Sequence, residues 1–189
     1  VQKRYTPLMM HYRMSCFLKE HDNRPEKIVG VGSIITHVCH IIDVFCFITD
    51  SKPVAVSVES MHAKRDDIFP TDNVTAHISF EDGSVCALLF TTIGHEKLGA
   101  ERIEIFFDGK SIVMDDYIGL YGMGLPSWFN ETVNEQDKGH EQLMDQFLQE
   151  VRSELFTAPI AIDRLHVVAQ LTLIIDRLAC EGGGKQELY

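Results

Sequence analysis

Thr36, His37, His40 and Asp43 fall within eight residues and bring together a hydroxyl, two imidazoles and a carboxylate. At about 100° per residue they share a stripe about 120° wide on one helix, with Cys39 turned elsewhere. Imidazole titrates near neutrality and suits acid/base work. Two histidines three apart could instead share a metal, as in a zinc hydrolase using His37, His40 and Asp43. Zinc takes about three protein ligands in a catalytic site and four in a structural one, and no second ligand cluster stands elsewhere in the sequence, so no metal is expected. Burying the stripe without partners is costly. It therefore faces water, a ligand or another domain, or Asp43 simply orients His40 in a satisfied core pair; helix physics alone leaves both readings open.

The stretch that carries them, VGVGSIITHVCHIID from Val29 to Asp43, opens like a dinucleotide-binding turn. That fingerprint needs G-x-G-x-x-G directly after a strand, inside an alternating βαβ pattern. Ile35 occupies the third glycine's place, no clear strand precedes Gly30, and no βαβ alternation follows. Gly30 and Gly32 read instead as a turn into a helix, and no cofactor-binding residue is assigned to this chain.

The positioning elements follow from hydropathy patterning. A strand is expected around Met9 to Met14 and a polar loop from Lys19 to Lys27. Ser33 is a candidate N-cap for an almost wholly apolar helix reaching about Ile48. Val54, Val56 and Val58 alternate as a half-buried strand. Val74–Phe80 and Val85–Thr92 pair around Glu81-Asp82-Gly83-Ser84, and Arg102–Phe107 and Ser111–Met114 pair around Asp108-Gly109-Lys110. Two helices close the chain, with Asp137 and Asp163 as candidate caps. Hairpins demand antiparallel pairing, so the expected class is α+β: an open, mainly antiparallel sheet with helices on one face. The domain is expected over residues 1–181, with 182–189 a flexible tail after Gly182-Gly183-Gly184.

At 189 residues and 45% hydrophobic content the chain suits one domain with a sizeable core. A formal charge of -11 without a basic patch argues against nucleic acid or an anionic membrane as partner. The five cysteines are odd in number and lack C-x-x-C spacing, as in a reduced cytoplasmic protein. No apolar run approaches the roughly 18 residues of a membrane span.

Gly32 through Val58, GSIITHVCHIIDVFCFITDSKPVAVSV, resembles the second domain of the Gfo/Idh/MocA oxidoreductases, with its glycine turn, H-x-x-D helix and Val-rich strand. The likeness continues through Asp72-Asn73-Val74, Phe80 to Val85, Glu101 to Phe106 and Gln136 to His140. It implies the family's α+β C-terminal domain, similar to that of glyceraldehyde-3-phosphate dehydrogenase. It also implies an N-terminal Rossmann domain as partner, binding NAD or NADP and carrying an E-K-P lysine; neither is present in this sequence. By the same resemblance His40 is the catalytic acid/base and Asp43 the aspartate that orients it. Thr36 stands where inositol-dehydrogenase-like members have aspartate, and His37 where related sequences often have glutamate, so the pocket could favour an anionic ligand. Tyr12 and Arg13 resemble a Y-R pair near the substrate cleft, and His95 and Lys97 border it. Lys138-Gly139-His140 reads as a helix start.

The implied protein is an NAD(P)-dependent oxidoreductase of a sugar, polyol or related hydroxy compound, a homo-oligomer through the open sheet face. This chain would be its substrate-binding half, inert alone. Thr36 and the altered glycine turn keep a second reading in view, a non-catalytic ligand-sensing or dimerisation module of the same descent.

Overall fold

A computed structural model describes residues 4–16, 32–62, 64, 68–153 and 160–188. The loop expected over Lys19–Lys27 and the first turn glycine, Gly30, lie outside the described residues. Strand β1 (Met9–Ser15) turns Met10, Tyr12 and Met14 inward and Met9 and His11 to solvent. The same alternation builds β2 (Pro53–Ser60), β3 (Val74–Phe80), β4 (Val85–Thr91) and β5 (Glu101–Phe107), whereas β6 (Lys110–Asp115) is half-buried up to its exposed last residue. The β5–β6 turn uses Asp108 and Gly109 at φ +48° and +70°, the left-handed pair that a tight hairpin needs.

Three strands go beyond the hydropathy pattern: β7 (Gly119–Met123), β8 (Glu131–Thr132) and β9 (Gly184–Glu187). Among the described residues nine strands form the sheet, in the order β8-β7-β6-β5-β1-β4-β3-β2-β9. There β1 and β4 are parallel, and the other neighbouring pairs are antiparallel. The flexible tail expected from 182 is thus replaced in part by an edge strand, Ala55 facing Glu187 and Val58 facing Gly184. Gly182 and Gly183 stand at φ +94° and +112°, open to residues without Cβ. They reverse the chain onto β2, whose unpaired backbone groups accept a strand.

Helix α1 (Cys39–Thr49) follows a π-helical segment, Ile34–Val38; α2 (His140–Arg152) and α3 (Ile162–Cys180) come last. Ile34, Val38, Ile41 and Phe45 from the first helix and Leu171, Ile175 and Leu178 from α3 share one core with the inward row of the sheet. Each such side chain contributes about 1.5–3 kcal/mol on burial. The architecture is the expected α+β class, with α1 and α3 on one face and the other face open.

Capping departs from expectation. Ser33 is itself helical, and its hydroxyl donates to Asp72 Oδ1 at 2.6 Å instead of closing the first turn. Gly139, at φ +72°, caps α2, while Asp137 accepts the Gly139 N–H at 2.8 Å. Ala161 precedes α3 and Asp163 lies within its first turn, where a carboxylate complements the helix dipole. No helix among the described residues is long and apolar enough to cross a membrane.

Candidate functional site

The π-helical segment decides how the histidine stripe is presented. In a regular α-helix consecutive side chains diverge by about 100° and do not meet. Here the wider turn brings Thr36 Oγ1 within 2.7 Å of His37 Nδ1, and π turns of this kind occur often at functional sites. The Thr36 hydroxyl can also donate to the Gly32 carbonyl at 3.3 Å. The His37 ring tilts against Phe90 at 5.8 Å, at the end of β4. Thr36, His37 and His40 are all exposed.

Asp43 is paired with a residue of α3. Its Oδ1 lies 3.3 Å from Nε of Arg164 on α3, and the Arg164 guanidinium lies over the Phe47 ring at 5.1 Å. Arg164 carried no signal in the sequence, because the pairing depends on α3 running back along α1.

Tyr12 and Arg13 part company for a simple reason: neighbours on a strand point to opposite faces. Arg13 donates to the Gly99 carbonyl at 3.0 Å. Tyr12 is 1% exposed and meets Phe45 edge-on at 6.3 Å. Its phenol donates to the Glu101 carboxylate and lies 3.1 Å from the Tyr117 hydroxyl. Lys138 Nζ bonds the other Glu101 oxygen at 2.7 Å and sits 5.4 Å from the Tyr117 ring centre. Burial first, then the hydrogen bond to Glu101, holds Tyr12 protonated well above the ordinary phenol range. The same carboxylate raises Lys138. Lys138 is thus more than a helix start. Glu101 had a legible signal, a carboxylate in the inward register of Glu101, Ile103 and Ile105; Tyr117 had none.

His95 and Lys97 line a cavity of about 480 Å³, together with Ser15, Cys16, Gly99 and Asp116. Their loop is held locally, Lys97 N–H donating to His95 Nδ1 at 3.2 Å. Burial, then the Glu101 charge, pushes the Cys16 thiol up against the opposing pull of Lys138.

Among the described residues no group of three or more His, Cys, Asp or Glu could hold a metal ion. A Cβ on Gly32 would stand 3.0 Å from Thr71 Oγ1 and 3.2 Å from Asp176 Oδ1. That space is filled by protein, so Gly32 offers no cradle for a pyrophosphate. The arrangement supports proton transfer at an exposed imidazole and polar ligand contacts around it.

A family model described as the GFO/IDH/MocA C-terminal domain matches residues 6–113. Among solved structures, levoglucosan dehydrogenase in complex with NADH and levoglucosan is similar at TM-score 0.73 and 15% identity, over 98% of this chain and 59% of that one. The WlbA dehydrogenase from Bordetella pertussis, in complex with NADH and UDP-GlcNAcA, gives 0.71 and 15% over 98% and 58%. UDP-N-acetylglucosamine 3-dehydrogenase GnnA from Acidithiobacillus ferrooxidans gives 0.68 and 18% over 93% and 54%. These likenesses speak to the fold, and the chain spans little more than half the length of each. Comparison with functionally curated proteins finds no match.

Proposed function

The chain belongs to the GFO/IDH/MocA C-terminal domain family, and on that premise we propose that it forms the substrate-binding half of an NAD(P)-dependent oxidoreductase of a sugar, polyol or related hydroxy compound. The observation that carries the reading is the exposed His40 imidazole on α1, one turn past the π-helical Thr36–His37 pair, in a domain of this family. Oxidising an alcohol removes a hydride and a proton. A nicotinamide, held by a Rossmann domain outside this sequence, would supply the hydride acceptor. His40 takes the hydroxyl proton, a role that suits a group titrating near neutrality. Thr36 and His37 flank the reacting carbon, and His95 and Lys97 contact the ligand from the cavity at the sheet end.

The open sheet face supports a second part of the reading, pairing with another copy. Met9, Phe106 and Met123 lie along one row of it and are 63%, 45% and 49% exposed.

Thr36, where related enzymes carry aspartate, favours the alternative of a non-catalytic sensing or dimerisation module. Turnover separates the two. The whole gene product, given NAD+ or NADP+ and a panel of sugars and polyols, should reduce the cofactor with at least one of them. Ligand binding without reduction across the panel would support the sensor.

A further inference from the structure

Thr36 Oγ1 stands 2.7 Å from His37 Nδ1, and the same oxygen lies 3.3 Å from the Gly32 carbonyl and 3.5 Å from that of Ser33. A hydroxyl has one proton to give and two lone pairs, and a carbonyl only accepts. If the proton goes to Gly32 or Ser33, Oγ1 is left to accept from a protonated Nδ1, and both contacts are hydrogen bonds. If it goes to Nδ1, neither carbonyl receives it. The first arrangement makes one bond more. Its bonds also run in series, from imidazole to hydroxyl to carbonyl, and bonds so linked polarise one another. The His37 ring rests against Phe90 as well, at 5.8 Å between centroids. Helix stability does not account for Thr36: the residue is exposed, and a threonine bonded back to the i−4 carbonyl slightly weakens a helix.

We propose that Thr36 is a positioning residue for His37: its hydroxyl holds the imidazole as the Nδ1–H tautomer, so that Nε2 carries the lone pair and His37 is a second proton acceptor beside His40. The same contact serves both protonation states, because an imidazolium also donates from Nδ1. Taking up a proton at Nε2 therefore requires no rearrangement of Thr36, and the Gly32 and Ser33 carbonyl dipoles already point at the charge that develops. His37 and His40 are three positions apart, neighbours on a helix surface, and one water can carry a proton between such rings. In oxidation of an alcohol, the hydroxyl proton taken by His40 passes to His37 Nε2 and from there to bulk water, while the hydride goes to the nicotinamide. That transfer rests on the oxidoreductase reading; the tautomer held by Thr36 does not.

The test reads the ring nitrogens of His37 in the wild-type protein by long-range proton–nitrogen NMR above about pH 8, where an ordinary imidazole is neutral, with the signals assigned by their loss in His37→Gln. The expected result is a protonated Nδ1 and a bare Nε2, kept in Thr36→Ser and lost in Thr36→Val. A wild-type His37 protonated at Nε2 overturns the proposal without needing any Thr36 variant to fold, and so does a tautomer unchanged in Thr36→Val. In the whole gene product, Thr36→Val should lower kcat about 10- to 100-fold, the scale of a misplaced catalytic group, with KM unchanged and Thr36→Ser restoring the rate. If a sugar or polyol is oxidised with kcat unchanged in Thr36→Val and His37→Gln, the oxidoreductase reading stands and this proposal falls. If Thr36 holds the tautomer but no sugar or polyol is oxidised, the Thr36–His37 pair stands and the oxidoreductase reading falls.

Discussion

The Tyr12 phenol on β1 donates a hydrogen bond to the Glu101 carboxylate at the start of β5, and Lys138 closes on the other carboxylate oxygen at 2.7 Å. The cluster joins the centre of the sheet to the segment leading into α2, next to the cavity that His95 and Lys97 border. Burying a carboxylate at 5% exposure is costly unless it is paired, and here both oxygens have partners.

That cluster makes stability fall in alkali. Lys138 has a raised value in the folded state, so its contribution is complete below the unfolded-state value of about 10.4 and is lost as pH climbs through the folded one. Tyr12 stays protonated when folded but ionises in the unfolded chain above about pH 10, which works in the same direction. Urea unfolding between pH 8 and 11 should show stability declining above about pH 10, and Tyr12→Phe should flatten that decline. At pH 8 the same substitution should cost about 1–3 kcal/mol, the penalty for leaving a buried charged acceptor short of a donor. An alkaline limb unchanged in Tyr12→Phe contradicts the assignment.

Gly32 is fixed by close approach. An added Cβ would press on Thr71 Oγ1 at 3.0 Å and Asp176 Oδ1 at 3.2 Å, so Gly32→Ala should destabilise by about 1–3 kcal/mol. Thr71→Ala in the same background removes the nearest obstacle and should recover part of the loss. Thermal melts of the wild type and the two variants decide this, and a neutral Gly32→Ala would show the site to be looser than described.

Asp108 ties the segment before β1 to the β5–β6 turn. The N–H of Tyr5 donates to it at 2.9 Å and Thr6 adds N–H and O–H donors at 2.8 Å. These bonds, the Tyr5 amide foremost, lower its value against the opposing effect of burial. A lowered carboxylate stabilises the fold above its unfolded value of about 3.9, and that stability is lost as pH falls through the folded value. Asp108→Asn should therefore weaken the acid limb below about pH 4. Identical acid limbs in wild type and variant would refute the tie.

The sheet from β2 to β6 was legible because Val54, Val56 and Val58, or Val74, Ala76 and Ile78, alternate so cleanly that only one face can be buried. The strand Gly119–Met123 escaped notice because its two glycines break that alternation. Gly184–Glu187 did so because a polar tetrapeptide pairs only where an edge is waiting. His40, Thr36 and His37 were readable as a helical stripe. The π turn that joins Thr36 to His37 was not, nor the diversion of the Ser33 hydroxyl to Asp72, which lies 39 positions further along the chain. Arg164 and Tyr117 needed the fold, for they reach Asp43 and Tyr12 across 121 and 105 positions, and nothing local marks either residue.

The division of labour gives a further prediction. With no pyrophosphate cradle at Gly32, the 189-residue chain alone should show no heat of binding with NAD+, NADH, NADP+ or NADPH in titration calorimetry. Stoichiometric binding would place the cofactor site here and undo that division.

The most direct test of the central reading is the turnover of His40→Ala in the whole gene product, on whichever sugar or polyol the panel identifies. Loss of a positioned acid/base should lower kcat about 10²- to 10⁴-fold, with the melting temperature unchanged, because His40 is exposed and holds no part of the core. A kcat within about threefold of wild type would contradict the account, since proton transfer would then have to occur without His40.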